Sequence, residues 1–288
     1  MRKIRRGWAL SKKSWALLRE HPALLRFPLY GGVLTILCAP IVIGPGLLLI
    51  DDEQTAVGLG VVAIGIYLLA TIGLFFSVAL AASAGLIFRG HEASVSDGVA
   101  LARECLPQIA GWAALSTTVG ILLSVLEDEG GIFGQIFGRL LAVGWSLATF
   151  LAPPVIAFEG TGPIETLKRS GSLFKSRWGE QVTGNVAIGG GIALLGTLPA
   201  IFLIVMGLSI WSSSGFAGAL CVVVGVVVLA VALLLSAALK GIFGVALYRY
   251  ALEGEAVGGF TPEEFDSAVK RRRGRGGDAP PTATPGTV

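Results

Sequence analysis

Six long runs of apolar residues alternate with short polar or charged segments along the chain. The runs cover residues 29–50, 56–88, 109–126, 132–158, 182–210 and 216–252. A helix of about 20 apolar residues crosses the ~30 Å hydrocarbon core of a bilayer. The runs lack the alternation of a transmembrane strand, and in lipid every backbone amide must be bonded internally. The pattern therefore predicts an all-α, polytopic transmembrane helical bundle with six spans.

The composition supports membrane embedding and excludes several classes of soluble protein. Hydrophobic residues make up 53% of the 288 residues, whereas charged residues make up 14%. Soluble domains carry about 25% charged residues, because their surfaces are hydrated. The shortage of charge excludes a soluble globular enzyme, a disordered chain and a nucleic-acid-binding domain as the main body of the protein.

The distribution of lysine and arginine predicts the orientation of the spans. Nineteen of the 22 cationic residues lie in four alternate segments, namely 1–28, 89–108, 159–181 and 253–288. The three connections between these segments contain none. Because cytoplasmic loops carry an excess of lysine and arginine, we expect both termini in the cytoplasm. The expected location is the cytoplasmic membrane of a prokaryote.

The segments outside the spans predict three parts of the chain. Residues 1–28 are expected to form a cytoplasmic amphipathic helix in which Trp8 and Trp15 suit the membrane interface. Residues 29–252 form the six-span membrane domain, and residues 253–288 form a cytoplasmic tail that is disordered from residue 270. The lipid bilayer is an expected partner, with anionic headgroups at the basic N-terminus and tail.

Three span ends resemble one another and predict an internal repeat. They are Phe88-Arg89-Gly90, Phe158-Glu159-Gly160 and Leu252-Glu253-Gly254. A glycine directly after a helix suits the left-handed cap position. Polar helical stretches follow the first two ends, with start signals at Ser96-Asp97 and at Pro163. We therefore expect three repeats of an interfacial helix plus two transmembrane helices.

Small residues and prolines inside the spans predict close packing and a kink. Small residues spaced by four form a ridge on the second span: Gly73, Ser77, Ala81 and Gly85. Such a ridge lets another helix approach closely, either as bundle packing or as the wall of a substrate path. Pro153 and Pro154 are expected to kink the fourth span, as a passive bend or as a functional hinge.

Four charged residues are candidates for contacts with a cavity or a partner protein: Lys240, Arg249, Arg89 and Glu159. The sixth run starts at Phe216, and Lys240 lies 24 residues further along the chain. This separation corresponds to about 36 Å of helix. This length places Lys240 at the cytoplasmic boundary, where its amine reaches the interface by snorkelling. A second interpretation places Lys240 in an inward-facing cavity, with Arg249 further along the same helix.

Trp178 and Gly179 begin the segment Trp178–Gln181, which predicts an elbow between an interfacial helix and the fifth span. Trp178 suits the interface and Gly179 permits the corner. The stretches Trp145–Gly160 and Gly162–Asn185 resemble a family of six-span prokaryotic membrane proteins of unknown function. More distantly, they are similar to the membrane domain fused to some glycerophosphodiester phosphodiesterases. The resemblance implies the fold and the repeat unit, and it supplies no catalytic residues.

Motifs for catalysis, cofactors and metals are missing from the sequence. The chain has no G-x-x-x-x-G-K-[ST], H-E-x-x-H or G-x-S-x-G motif. It contains only two histidines, and its three cysteines are widely separated. We expect no cofactor, no metal, no nucleic-acid partner and no enzymatic activity. The sequence predicts a non-enzymatic membrane scaffold or partner-binding subunit, with a membrane or cytosolic protein as the partner. The alternative is a transporter or permease for a lipid or small solute.

Overall fold

The computed structural model describes residues 18–51, 55–129, 131–178, 190–211 and 214–253. Beside a short 3₁₀ turn at Pro22–Leu25, these residues form α-helices, and none of them belongs to a β-strand. The helices are α1 (Arg26–Asp51), α2 (Thr55–Phe88), α3 (Val95–Glu104), α4 (Leu106–Glu129), α5 (Gly131–Thr149), α6 (Ala152–Glu159), α7 (Pro163–Trp178), α8 (Gly190–Ser209) and α9 (Gly215–Glu253). The predicted all-α fold is confirmed.

Five helical segments of the described chain are long and apolar enough to cross a membrane. They are Pro22–Ile50, Thr55–Phe88, Leu106–Glu127, Gly134–Glu159 and Gly215–Leu252. They correspond to five of the six predicted runs and make the protein a polytopic helical bundle. In the remaining run, 182–210, residues 182–189 lie outside the described residues, and most of the rest forms α8, which contains the shorter apolar segment Thr197–Ser209.

Neighbouring long helices pack in pairs, and glycines allow two of these pairs to approach closely near their turns. α1 packs along α2, α4 against α5, and α8 along α9. A Cβ atom at Gly58 would lie 2.7 Å from the carbonyl oxygen of Gly46. In the last pair, a Cβ atom at Gly207 would lie 2.8 Å from the carbonyl oxygen of Gly218. Any larger residue would separate the helices, so both pairs depend on the same kind of contact.

The core lies at one end of the bundle, which we call the base, where α2 and α6 end and α4 begins. α2 contacts α1, α3, α4, α6 and α9, and its residues 78–85 are all buried. Most of these residues are Ala, Ser or Gly, so helices can approach α2 from several sides. Residues 242–248 of α9 are buried in the same part of the bundle. Large side chains nearer the opposite end, such as Leu48 and Phe216, are exposed and form an apolar surface suited to lipid.

The fourth predicted span consists of two helices rather than one kinked helix. α5 and α6 are separated by residues 150–151, and Pro153 and Pro154 lie in the first turn of α6. The prolines lack the N–H groups that would bond the carbonyls four residues earlier, so the preceding helix stops. The N–H of Leu151 donates instead to Ser170 Oγ of α7, at 3.3 Å. The break is therefore linked to the helix that follows the span.

Glycines end two helices at the base as predicted, whereas α3 begins earlier than predicted. Gly90 and Gly160 have φ angles of 81° and 61°, in the left-handed region. The N-cap of α3 is Ser94, not the Ser96-Asp97 pair. The hydroxyl of Ser94 accepts the N–H of Asp97 at 3.3 Å, and the Asp97 carboxylate accepts the N–H of Ser94 at 2.9 Å. This reciprocal capping box requires a spacing of three residues, and only Ser94 meets it.

Candidate functional site

Three of the four predicted charged residues lie together at the base. Arg89 directly follows α2, Glu159 is the last residue of α6, and Arg249 lies near the end of α9. The structure adds Arg169 of α7 and Tyr248 of α9 to this group. We call these five residues the base cluster. It joins four helices from different parts of the chain.

Glu159 is the centre of the hydrogen bonds in the base cluster. Arg169 Nε donates to both carboxylate oxygens of Glu159, at 2.9 and 3.0 Å. The hydroxyl of Tyr248 donates to Oε1 of the same carboxylate at 2.8 Å. The side chains of Glu159 and Arg169 are 21% and 42% exposed, whereas Tyr248 is only 4% exposed. The carboxylate therefore links α6 to both α7 and α9 through charge-assisted bonds.

The two remaining arginines contact the end of α2 and the aromatic side chain beside Glu159. Arg249 Nη1 donates to the carbonyl oxygen of Phe88 at 3.2 Å, which satisfies a carbonyl in the last turn of α2. The guanidinium of Arg89 lies over the ring of Phe158, 6.0 Å from its centroid. The Phe158 ring is in turn 5.4 Å from the ring of Tyr248. Arg89 thus contacts an aromatic pair at the junction of α2, α6 and α9, and Arg249 contacts the end of α2 at the same junction.

The base cluster carries an excess of positive charge. Three guanidinium groups and one carboxylate leave a net charge of +2. Guanidinium groups bind carboxylates and phosphates through several N–H groups at once, and they do not lose their proton at physiological pH. Within the described residues, no group of three or more His, Cys, Asp and Glu side chains is placed to hold a metal ion. The three guanidinium groups give the base donors of the kind that bind anions.

The ridge of small residues on α2 divides into a packed half and an open half. Ala81 and Gly85 are buried, and a Cβ atom at Gly85 would collide with the ring of Phe158. Ser77 is exposed, and a Cβ atom at Gly73 would meet nothing within 4 Å. Only the half nearest the base therefore acts as a packing surface, and its contact orients the ring on which Arg89 rests.

Two other predicted site residues are described by the structure and do not belong to the base cluster. Lys240 is exposed on α9, more than two helical turns before the base cluster. Trp178 is the last residue of α7. Trp8, Trp15 and Gly179 lie outside the described residues, as does the predicted tail from residue 254 onward.

Sequence reasoning did not identify Arg169, Tyr248 or Ser170. Arg169 and Ser170 lie in a polar helical stretch that looked like a solvated interfacial helix, and Tyr248 lies at the end of an apolar run. A weak signal existed, because Tyr248 adjoins Arg249 and a tyrosine near a membrane boundary often has a hydrogen-bond partner. Its partner, however, is 89 residues away in the chain.

Comparison with known proteins places this architecture in a family. Residues 56–259, which extend from the start of α2 to beyond the end of α9 and include the whole base cluster, match a family of unknown function, DUF6159. No match was found among curated proteins or among solved structures. The predicted membership of an uncharacterised family is confirmed, because the matched region covers more than half of the chain. The protein belongs to the DUF6159 family.

Proposed function

We propose that this protein is a non-enzymatic membrane scaffold that presents α7 to a partner protein with an acidic surface. The cationic segments of the sequence support an orientation in which the base faces the cytoplasm of a prokaryotic cell. One observation carries the proposal: α7 is held firmly against the base on one side and is exposed on the other.

The inner face of α7 is fixed by buried residues. Thr166, Ser170 and Leu173 recur at spacings of four and three and are all buried. Ser170 accepts the N–H of Leu151 from the break between α5 and α6. Thr166 donates to the carbonyl oxygen of Thr161 at 3.0 Å, just before α7 begins. These contacts give α7 a defined position on the bundle, which a binding surface needs.

The outer face of α7 combines an apolar residue with two lysines. Ile164, Lys168, Ser172 and Lys175 lie on one side of the helix, because their spacings are four, four and three. All four are exposed, and Ile164 is 64% exposed. An acidic protein surface would match the lysines, and an apolar contact would cover Ile164.

The alternative of a transporter or permease has weaker support. The predicted repeat and the break at residues 150–151 are compatible with a moving element. The exposed position of Lys240 does not support a cavity around this residue, however, and the buried residues at the base are mostly apolar. The distant similarity to the membrane domain of some glycerophosphodiester phosphodiesterases remains a prediction. Solute flux in proteoliposomes, abolished by Lys240→Met, would favour the transporter.

Site-specific photo-crosslinking in living cells tests the scaffold. A photoreactive residue at Ser172 is expected to form a discrete adduct with another protein, whereas one at Gln135, exposed on α5, is not. The adduct is expected to disappear in the charge reversal Lys168→Glu with Lys175→Glu. Adducts with phospholipid alone, or a protein adduct that is insensitive to the charge reversal, would contradict the proposal.

A further inference from the structure

We propose that the base cluster is a binding site for the phosphate of an anionic phospholipid, with Arg89 as its principal ligand. The site is distinct from the exposed face of α7 and does not depend on the scaffold function. Three features of the structure support it: the position of Arg89, the unused donors of two guanidinium groups, and the compensation of the negative groups nearby.

The position of Arg89 matches the headgroup region of a bilayer. Arg89 directly follows Phe88, the last residue of a helix that is long and apolar enough to span the membrane. Its side chain is exposed. An arginine at the end of a spanning helix extends its guanidinium to the level of the lipid headgroups. Gly90, with a φ of 81°, turns the chain away immediately afterwards.

Arg89 and Arg169 have donors that no described residue uses. The guanidinium of Arg89 lies over the face of the Phe158 ring, and this contact leaves the N–H groups at the edge of the guanidinium plane available. Arg169 contacts Glu159 through Nε, and its terminal nitrogens have no further hydrogen-bond partner among the described residues. Each guanidinium group therefore keeps N–H groups that no described residue uses. Phosphate oxygens are suited to the paired N–H donors that a single guanidinium group offers.

Two negative groups of the base are compensated by neighbouring side chains. A helix end carries partial negative charge, which would repel a phosphate. The end of α2 is compensated because Arg249 donates to the carbonyl oxygen of Phe88. The carboxylate of Glu159 is compensated because it accepts from Arg169 and Tyr248. The five residues of the base cluster together carry a net charge of +2, which favours an anion over a neutral headgroup.

Lipid retention by the full-length protein tests this site. The protein is purified in mild detergent and titrated with phosphatidylglycerol or phosphatidylcholine, and bound lipid is counted by native mass spectrometry. Arg89→Gln is expected to weaken phosphatidylglycerol binding about fivefold or more, as the loss of one well-placed cation predicts. Arg89→Lys keeps the charge but not the paired donors, so its loss is expected to be intermediate. The matched control is Arg139→Gln, which removes an exposed arginine from α5 and is expected to bind as the unaltered protein does.

Four results would overturn the inference. The first is that the Arg89→Gln protein binds phosphatidylglycerol as tightly as the unaltered protein. The second is that Arg139→Gln weakens binding as much as Arg89→Gln does, which would indicate a general charge effect. Equal binding of phosphatidylcholine would show that the site does not select anions. Displacement of the lipid by inorganic phosphate alone would assign the site to a soluble anion. Because Arg89 is exposed, the Arg89→Gln protein is expected to fold, and an unchanged elution volume in size-exclusion chromatography checks this.

Discussion

The hydroxyl of Ser170 accepts a hydrogen bond from the break between α5 and α6, and Ser170→Ala removes this acceptor. The N–H of Leu151 has no helical partner, and within the described residues its acceptor is the Ser170 hydroxyl at 3.3 Å. Both residues have 0% exposure, so water does not replace the lost bond. The substitution therefore leaves a buried backbone donor unsatisfied.

The size of the effect follows from this burial. A buried polar group that loses its partner costs about 1–3 kcal/mol. This range corresponds to an increase of about 5-fold to 150-fold in the unfolding equilibrium constant, since 1.4 kcal/mol is a factor of about ten. Because the bond is long, we expect a value in the lower half of the range. The helix propensity of alanine exceeds that of serine and offsets a few tenths of a kcal/mol.

A denaturant titration in mixed micelles, followed by far-UV circular dichroism, measures this loss. The matched control is Ser172→Ala on the same helix, because Ser172 is exposed and its hydroxyl donates to the carbonyl oxygen of Arg169. The control is expected to change the free energy of unfolding by less than about 0.5 kcal/mol. If Ser170→Ala lies within the same limit, the hydroxyl does not support the break and the reasoning is wrong.

Three further predictions concern Gly85, Tyr248 and Asp97. Gly85→Ala is expected to lower stability by about 1–3 kcal/mol because its methyl group meets an aromatic ring of α6; Gly73→Ala, which meets nothing, is expected to leave thermal unfolding unchanged or raise its midpoint. Tyr248→Phe removes the 2.8 Å bond to Glu159 and is expected to cost about 1.5–3 kcal/mol in the same titration. Hydrogen bonds from the N-cap backbone and hydroxyl of α3 lower the pKa of Asp97 below its ordinary 3.8. The stabilisation that the ionised Asp97 gives to α3 is therefore expected to be complete above pH 3.8 and to be lost as the pH falls through the lowered pKa of the folded protein. The loss is measured as faster amide hydrogen exchange in α3 at low pH. The Asp97→Asn protein is expected not to show this pH dependence.

Three members of the base cluster can be predicted from the sequence, but their contacts with one another cannot. Arg89 and Glu159 were singled out because charged residues follow apolar runs, and Arg249 because it lies inside one. Each observation concerned one segment alone. The contact between Arg249 and Phe88 joins residues 161 positions apart, and no periodicity or spacing encodes such a separation. Arg169 and Tyr248 were missed for the same reason.

The helices and their ends follow from the sequence because their causes are local. The long helices form because an apolar run in lipid must hydrogen-bond its own amides. The fourth run is interrupted because proline lacks an N–H donor, and the caps at Gly90 and Gly160 form because glycine accepts a positive φ. Each of these features depends only on neighbouring residues. Which helix packs against which depends on shape over the whole chain. Tertiary structure placed α2 at the centre, buried one half of its ridge and brought α7 and α9 to Glu159 of α6, because close packing and paired charges are satisfied only when distant segments meet.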